Sequence, residues 1–334
     1  MSKWNVVITD YEYPNVEIER TILESADAVV HDHQCKNERD VIDVVAQADV
    51  VINQYAPITR HVIENLSPSC LAIGQYGIGV DTIDVAAATE HGIVVINVPS
   101  YCEDDVAEHA IAMMLALARR IPFYDREVRR SIWDYTTQAP IYRVQNRTLG
   151  LIGFGRIARK VAEKLRGFSL RILAYDPLVD PEIMLKAGVQ PASLDELLEG
   201  SDFVSVHVPL NEQTRHLLGE KELQRLKPTA ILVNVSRGPV IDQEALYRHL
   251  SERRIRAAGL DVFHDEPPTE KFNGHDLLSL DNAAFSPHVA WYSEESIVDL
   301  RRKLATDIAR VLQGLDPEGF VNPEVQDRRR TRME

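Results

Sequence analysis

Short apolar runs alternate with amphipathic stretches along nearly the whole chain, the pattern of strands separated by helices. Residues 6–9 read as a strand, and 16–25 as a helix with Ile18, Ile22 and Leu23 inward. A strand at 28–30, a helix at 38–46 and a strand at 50–52 repeat the alternation. Residues 71–73 and 93–96 add two strands around a helix from about 83 to 90. Strands spaced by helices imply a parallel sheet covered on both faces. The run Asn97-Val98-Pro99-Ser100 breaks the pattern and marks a boundary, with Ser100 set to cap a long helix over about 103–121. That helix carries Val106, Ala110, Met113, Met114 and Leu117, a surface for interdomain packing or for a dimer. Residues 122–146 form an irregular, charge-rich arm with Trp133 and Tyr135. Exchange of this arm between subunits accounts for its aromatics better than a plain surface excursion does.

The alternation resumes at Leu149. Strands are expected at 148–152, 171–175, 203–208, 230–234, 257–261 and 282–285, six in all, enough for a complete dinucleotide fold of two halves. Ser193-Leu194-Asp195-Glu196 is a capping box. A helix over about 294–312, with Ile297, Leu300, Leu304, Ile308 and Leu312 on one side, packs most economically back on the first domain. The charged end, 327–334, reads as a disordered tail.

One stretch organises the rest. The strand 148–152 stops at Gly153-Phe154-Gly155-Arg156-Ile157-Ala158, a helix follows with Ile157, Val161 and Leu165 on one face, and the strand 171–175 closes on Asp176. Gly153 allows the tight turn, Gly155 lets backbone approach a pyrophosphate, and Ala158 lets helix and strand pack closely. The helix N-terminus offers unpaired N–H groups to the phosphates. Asp176 can take both ribose hydroxyls of an adenosine and would repel a 2′-phosphate, and no arginine stands in Pro177-Leu178-Val179. The cofactor expected is therefore NAD rather than NADP. A loop that merely turned the chain would not need strand, glycines, helix, strand and acid in this order.

Composition narrows the setting. The length of 334 residues suits two domains, and 45% hydrophobic with 26% charged residues is a globular balance. A net charge of −14 argues against a nucleic-acid or anionic-membrane surface. Cys35, Cys70 and Cys102 have no metal or redox spacing, so no metal is expected and a reducing compartment is. With no signal peptide and no apolar run of the ~20 residues a membrane helix needs, the expected location is cytoplasmic.

The chemistry gathers beyond strand ends. After the strand 71–73 comes Gly74-Gln75-Tyr76-Gly77-Ile78-Gly79-Val80-Asp81, where the N–H groups of Gly77 and Ile78 can turn towards an anion or simply lead into the next helix. Arg237, Glu266 and His288 each sit just past a strand end, where the nicotinamide should project. Hydride transfer to a carbonyl needs geometry, a proton source and charge stabilisation. A histidine supplies the proton, a carboxylate beside it raises its pKa and fixes its tautomer, and an arginine holds a substrate carboxylate with two N–H groups. His207 lacks such partners and is read as structural or near the cofactor.

Gly153-Phe154-Gly155-Arg156-Ile157, Asn234-Val235-Ser236-Arg237-Gly238, 261–267 and Ser286-Pro287-His288 together resemble the D-isomer-specific 2-hydroxyacid dehydrogenase family, over about residues 6–323. Within it, His288-Val289-Ala290-Trp291-Tyr292-Ser293-Glu294 is most similar to the C-terminal-binding-protein-like branch, in which the tryptophan at the Trp291 position lines the substrate pocket. The resemblance implies that Arg237 holds the carboxylate, Glu266 partners the histidine and His288 is the acid/base. It implies that Tyr76, Gly77 and Ile78 line the carboxylate end of the substrate. The cofactor contacts expected are the glycine loop with Ser100, Arg156, Ile157, Asp176, His207, Thr214, Val235, Ser236 and Asp261. Where the C-terminal-binding-protein and phosphoglycerate dehydrogenase branches carry arginine, this chain has Gln75, as the glyoxylate and hydroxypyruvate reductases resemble it in doing, which speaks against a phosphorylated substrate. No C-terminal regulatory domain is expected.

The resulting expectation is an α/β chain of two domains. A Rossmann NAD-binding domain at 100–288 is inserted in a smaller flavodoxin-like α/β substrate domain at 1–99 and 289–326. The expected function is a reversible NAD-dependent reductase of a small 2-oxo acid, a homodimer as in the family. The alternative is an NAD(H)-sensing scaffold or corepressor of the C-terminal-binding-protein type.

Overall fold

The computed structural model describes residues 4–268 and 276–330, and the chain divides into two compact units, Met1–Tyr101 with Ser293–Glu334, and Cys102–Tyr292.

The first unit is a five-stranded parallel sheet of β1 (Trp4–Ile8), β2 (Ala28–Asp32), β3 (Val50–Asn53), β4 (Ala72–Gln75) and β5 (Val94–Ile96), in the order β2-β1-β3-β4-β5. This is the flavodoxin-like order. β3, β4 and β5 are buried throughout, as strands covered on both faces must be. The helix Glu294–Leu312 lies on β4, where Gly74 has no side chain and the methyls of Leu304 and Ile308 come within 3.1 and 3.2 Å of the Cβ position.

Three local expectations change. In the helix Glu17–Glu24, Leu23 is fully buried but Ile18 and Ile22 are only half-buried; the other fully buried residue is Glu19. Glu19 can face inward because Arg301 meets it with two charge-assisted bonds of 2.8 and 2.7 Å. The charged end is not free over residues 327–330. The Arg330 N–H donates to Gly92 O at 2.9 Å and its guanidinium to His91 O and Ser67 O, while a side chain at Gly92 (φ +73°) would collide with Arg328 O. Residues 331–334 of that expected tail lie outside the described residues. Ser100 caps nothing: the helix Glu103–Ala118 has Cys102 as its N-cap, without a side-chain bond, and the Ser100 carbonyl accepts from Lys303 Nζ.

The second unit is a seven-stranded parallel sheet: β6 (Thr148–Ile152), β7 (Arg171–Tyr175), β8 (Gln190–Pro191), β9 (Phe203–Val206), β10 (Ile231–Asn234), β11 (Ala257–Leu260) and β12 (Ala283–Phe285). The order is β12-β11-β10-β9-β6-β7-β8, with every described pairing parallel. Sequence reading counts six strands here and misses β8, because two residues ending in proline carry no periodicity and proline suits only an edge. The order reverses between β6 and β9, so a crevice opens at their carboxyl ends.

The helix Glu103–Ala118 packs on this sheet: Leu117 and Met113 approach the bare Cα of Gly259 in β11. Met113 and Met114 are 9% and 2% exposed, buried within their own unit, so they offer no face to a second subunit. The helix ends at Ala118, and after Arg120 (φ 60°) residues Ile121–Arg129 form another helix where an irregular arm is expected. Pro122 does not prevent this, since proline at the first helical turn removes no needed N–H.

Candidate active site

The glycine loop follows β6. Gly153 (φ +89°) lies where a Cβ would come within 2.9–3.0 Å of Val208 and of the His207 backbone, so only glycine lets β6 and β9 close the turn. Gly155 caps the helix Arg156–Lys164 with no side chain satisfying its first turn, and nothing lies within 4 Å of its Cβ position. This open, uncapped helix end fits a pyrophosphate. Ile157 is half-buried and Arg156 exposed, both in that first turn.

Asp176 closes β7. One carboxylate oxygen accepts the Phe154 N–H and the other the Leu178 N–H, both at 2.9 Å. The acid therefore shapes the loop as well as presenting its charge beside it.

His207 follows β9 with Nε2 2.9 Å from Ser205 Oγ, while Nδ1 is buried without a hydrogen-bond partner. Burial pushes this imidazole down to about 4, so it is neutral near pH 7. Thr214 is occupied in its own turn, donating to Pro209 O at 2.6 Å and accepting the Asn211 N–H at 2.8 Å.

Three loops at the carboxyl ends of β10, β11 and β12 make the chemical cluster. Asn234, buried at the end of β10, receives the Ser236 N–H and hydroxyl on Oδ1 and donates Nδ2 to Arg237 O at 2.9 Å. This bends 235–237 back over the strand, with Val235 buried and Ser236 half-buried. Gly238 then passes so close to the next loop that a Cβ would lie 1.9 Å from the Phe263 carbonyl. That approach brings the Arg237 loop beside the Glu266 loop.

Glu266 Oε1 accepts the Phe263 N–H at 2.9 Å, and Oε2 lies 2.6 Å from His288 Nδ1. Burial pushes the Glu266 carboxyl up. The bond to His288, the charge of that ring, the Phe263 N–H and the Arg237 guanidinium outweigh it, and the group ends below the usual glutamate range. It is ionised throughout neutral pH. His288 Nε2 has no hydrogen bond among the described residues, so it is the nitrogen free to meet a ligand.

What aims His288 is Asp261, fully buried just past β11. Its carboxylate accepts the Ser286 hydroxyl, the Val289 N–H at 3.0 Å and the Ala290 N–H at 2.9 Å, and its carbonyl accepts the His288 N–H at 2.8 Å. His109 Nε2 adds a contact to Ser286 Oγ at 2.9 Å. These bonds hold His288 in the left-handed region at φ 53°. The expectation that Asp261 is a cofactor contact meets a carboxylate taken up by the histidine loop. Trp291 donates its indole N–H to His288 O at 2.9 Å, bracing the same turn.

In the first unit, the loop after β4 is as firmly tied. Tyr76 is 4% exposed and its hydroxyl donates to Glu19 at 2.9 Å, with burial, then the Glu19 charge and bond, pushing its pKa well up. Its ring is therefore a support rather than a ligand surface. The Gly77 N–H turns back to Gln75 O at 3.0 Å, so of the two N–H groups expected to face an anion only that of Ile78 has no acceptor among the described residues. Gln75 is buried, donating to Gln54 O at 2.8 Å and accepting from Thr82 at 3.0 Å.

Among the described residues no group of three or more His, Cys, Asp or Glu could hold a metal, and no helix is long and apolar enough to cross a membrane.

Residues 111–290 match the family model described as D-isomer specific 2-hydroxyacid dehydrogenase, NAD binding domain. A glyoxylate reductase of Korarchaeum cryptofilum is 40% identical over 294 residues, 86% of this chain and 87% of that protein. A D-3-phosphoglycerate dehydrogenase of Methanocaldococcus jannaschii is 39% identical over 287 residues, covering 85% of this chain but only 54% of that protein. Among solved structures, the D-lactate dehydrogenase of Aquifex aeolicus complexed with NAD and lactic acid superposes with a TM-score of 0.85 at 28% identity, covering 93% of this chain and 96% of that one.

Proposed function

Because the chain belongs to the D-isomer-specific 2-hydroxyacid dehydrogenase family, we propose which of its side chains carry the reaction and which substrate they take. It is an NAD-dependent oxidoreductase acting on 2-hydroxy acids. NADH, when bound, supplies the hydride. His288 delivers the proton from Nε2 to the carbonyl oxygen of a small 2-oxo acid, and takes it back in the reverse direction. Glu266 holds the other ring nitrogen and, being ionised, favours the protonated ring that reduction needs. Arg237 holds the substrate carboxylate through its planar fork. The 2.6 Å bond between His288 Nδ1 and Glu266, which leaves Nε2 without a hydrogen bond among the described residues, is the observation that carries this reading.

We take the Gly155 helix end for the pyrophosphate and Asp176 for the adenosine ribose. Asp176→Ala is expected to weaken NADH binding and to narrow the preference over NADPH, read from KM for each cofactor. A wild type that uses NADPH as well as NADH would show that Asp176 does not select the cofactor.

The substrate we favour is unphosphorylated, of the glyoxylate or hydroxypyruvate kind. Gln75 puts a buried, hydrogen-bonded amide, and not a cation, at the end of β4. A panel of glyoxylate, hydroxypyruvate, pyruvate, phenylpyruvate and 4-methylthio-2-oxobutyrate, followed by NADH oxidation, tests this. Turnover of glyoxylate and hydroxypyruvate is expected. No turnover across the panel in an enzyme that binds NADH would sink the reading. It would favour the scaffold-type one, to which the likeness of residues 288–294 to the C-terminal-binding-protein branch points. For a homodimer we place the contact on the arm, where Trp133 and Tyr135 are 90% and 80% exposed, and we take the protein to be cytoplasmic.

A further inference from the structure

Glu19 is fully buried on the helix Glu17–Glu24, and the Arg301 guanidinium that meets it, from the helix Glu294–Leu312, is buried as well. Arg301 Nε donates to Glu19 Oε1 at 2.8 Å and Nη2 to Oε2 at 2.7 Å, and Nη2 also donates to Asn15 O at 2.7 Å. The Tyr13 ring lies 4.9 Å from this guanidinium and meets the Tyr76 ring edge-on, with 5.4 Å between centroids. Holding one helix against another does not call for such a pair, since apolar side chains of similar volume do so without desolvating two charges. What sets this pair apart is a third bond. Glu19 Oε1 also accepts the Tyr76 hydroxyl at 2.9 Å, and burial, then the Glu19 charge, keeps the proton on that hydroxyl.

Tyr76 directly precedes the two residues expected at the carboxylate end of the substrate. Gly77, at φ +148°, has nothing within 4 Å of its Cβ position, so no side-chain packing fixes the backbone there. The loop hangs instead from bonds on either side of that glycine. The Tyr76 N–H donates to Asn53 O and the Val98 N–H to Gly77 O, both at 2.9 Å, while Asn97 Nδ2 donates to Ile78 O at 2.6 Å. All these groups belong to the first unit. Together they leave the Ile78 N–H as the donor without an acceptor among the described residues.

We propose that the Glu19–Arg301 pair positions the substrate loop: through the Tyr76 hydroxyl it sets the Gly77–Ile78 backbone so that the Ile78 N–H meets the substrate carboxylate. This rests on the reading of the protein as a 2-oxo acid reductase. A carboxylate held bidentately by a buried arginine gives the hydroxyl a charge-assisted bond to a fixed point, which a solvated or neutral acceptor would not. Glu19, Arg301 and Tyr76 are thus positioning residues, acting through backbone that none of them contributes to the reacting atoms.

The test titrates oxamate, a 2-oxo acid mimic whose amide carbonyl takes no hydride, into the NADH-saturated enzyme by calorimetry. Tyr76→Phe keeps the ring and removes one hydroxyl. It is expected to weaken oxamate about tenfold, and to raise KM for the 2-oxo acid more than it lowers kcat, with NADH affinity as in the wild type. Tyr13→Phe removes a buried hydroxyl of the same cluster that has no hydrogen-bond partner, and should bind oxamate as the wild type does. Glu19→Met with Arg301→Met replaces the pair by apolar side chains and should fold. It is expected to lose as much oxamate affinity as Tyr76→Phe, with no further loss when all three changes are combined. Wild-type oxamate affinity in Tyr76→Phe would overturn the proposal, as would an equal loss in Tyr13→Phe, a parallel fall in NADH affinity, or losses that add in the triple variant. A wild type that binds NADH but neither reduces 2-oxo acids nor binds oxamate would sink the functional reading, and this proposal with it, a result distinct from the others.

Discussion

His288→Gln is expected to lower kcat for 2-oxo acid reduction by on the order of 10²–10⁴, with NADH affinity near that of the wild type. The glutamine can keep a bond to Glu266 but has no proton to give at the Nε2 position. Glu266→Gln is the companion variant, and its sign follows from charge. The Glu266 carboxyl lies below its usual range and is ionised at neutral pH, so it sets a negative charge 2.6 Å from the ring nitrogen. The amide keeps a hydrogen bond and loses that charge. The falling, alkaline limb of kcat/KM for reduction should therefore move towards acid. The measurement is kcat/KM against pH in both proteins. A limb that stays put or moves towards alkali would show that another charge tunes the histidine, and a His288→Gln enzyme with near-normal kcat would remove that residue from the mechanism.

Asp261→Ala is expected to damage both activity and stability, because the carboxylate satisfies three buried or half-buried donors at once. Deleting it leaves the Ser286 hydroxyl and the N–H groups of Val289 and Ala290 without their acceptor. Each such orphan costs about 1–3 kcal/mol, so Tm should fall by several degrees. The loop that holds His288 at positive φ then relaxes, and a displaced histidine costs on the order of 10² in kcat. Asp261→Asn should fall between, since its amide can still accept on one atom but offers a second N–H where an acceptor is needed. A role in holding the cofactor alone would instead raise KM for NADH with Tm unchanged. Wild-type kcat and Tm in Asp261→Ala would refute the positioning role.

Much of the second unit is written locally. The run 148–176 specifies its own strand, turn, helix and strand because each depends on neighbours within a few residues: Gly153 on positive φ, Gly155 on open space, Ala158 on close packing. The same holds for the capping box at Ser193, where hydroxyl and carboxylate are three residues apart and both bonds form. Where a local signal is short or ambiguous, reading it fails. Gln190–Pro191 becomes a strand only because Leu173 and Ala174 lie alongside. The helix Ile121–Arg129 looks like a coil because Pro122 and its charges hide the pattern, and proline is harmless only at a helix start.

The candidate site divides in the same way. Arg237, Glu266 and His288 are legible as ionisable residues just past strand ends, and a parallel sheet puts those ends on one edge. Asn234 and Asp261 also end buried strands, a signal that short polar residues at such positions organise the loop after them. Their partners lie from two to twenty-nine residues away, which no periodicity can state.

By itself, then, the order of residues determined the α/β alternation, the dinucleotide loop and its acid, and the three residues proposed for the reaction. Each of these follows from side-chain period, turn chemistry or residue type acting over a short span. Tertiary structure alone decided which groups meet. It paired Glu19 with Arg301 across 282 positions, turned the Tyr76 hydroxyl inward, and covered Met113 and Met114 with their own sheet. It laid Gly238 against Phe263 and gave Asp261 the task of holding the His288 loop. A buried charge or a missing Cβ has meaning only through the atoms opposite it, and packing, not sequence neighbourhood, supplies those atoms.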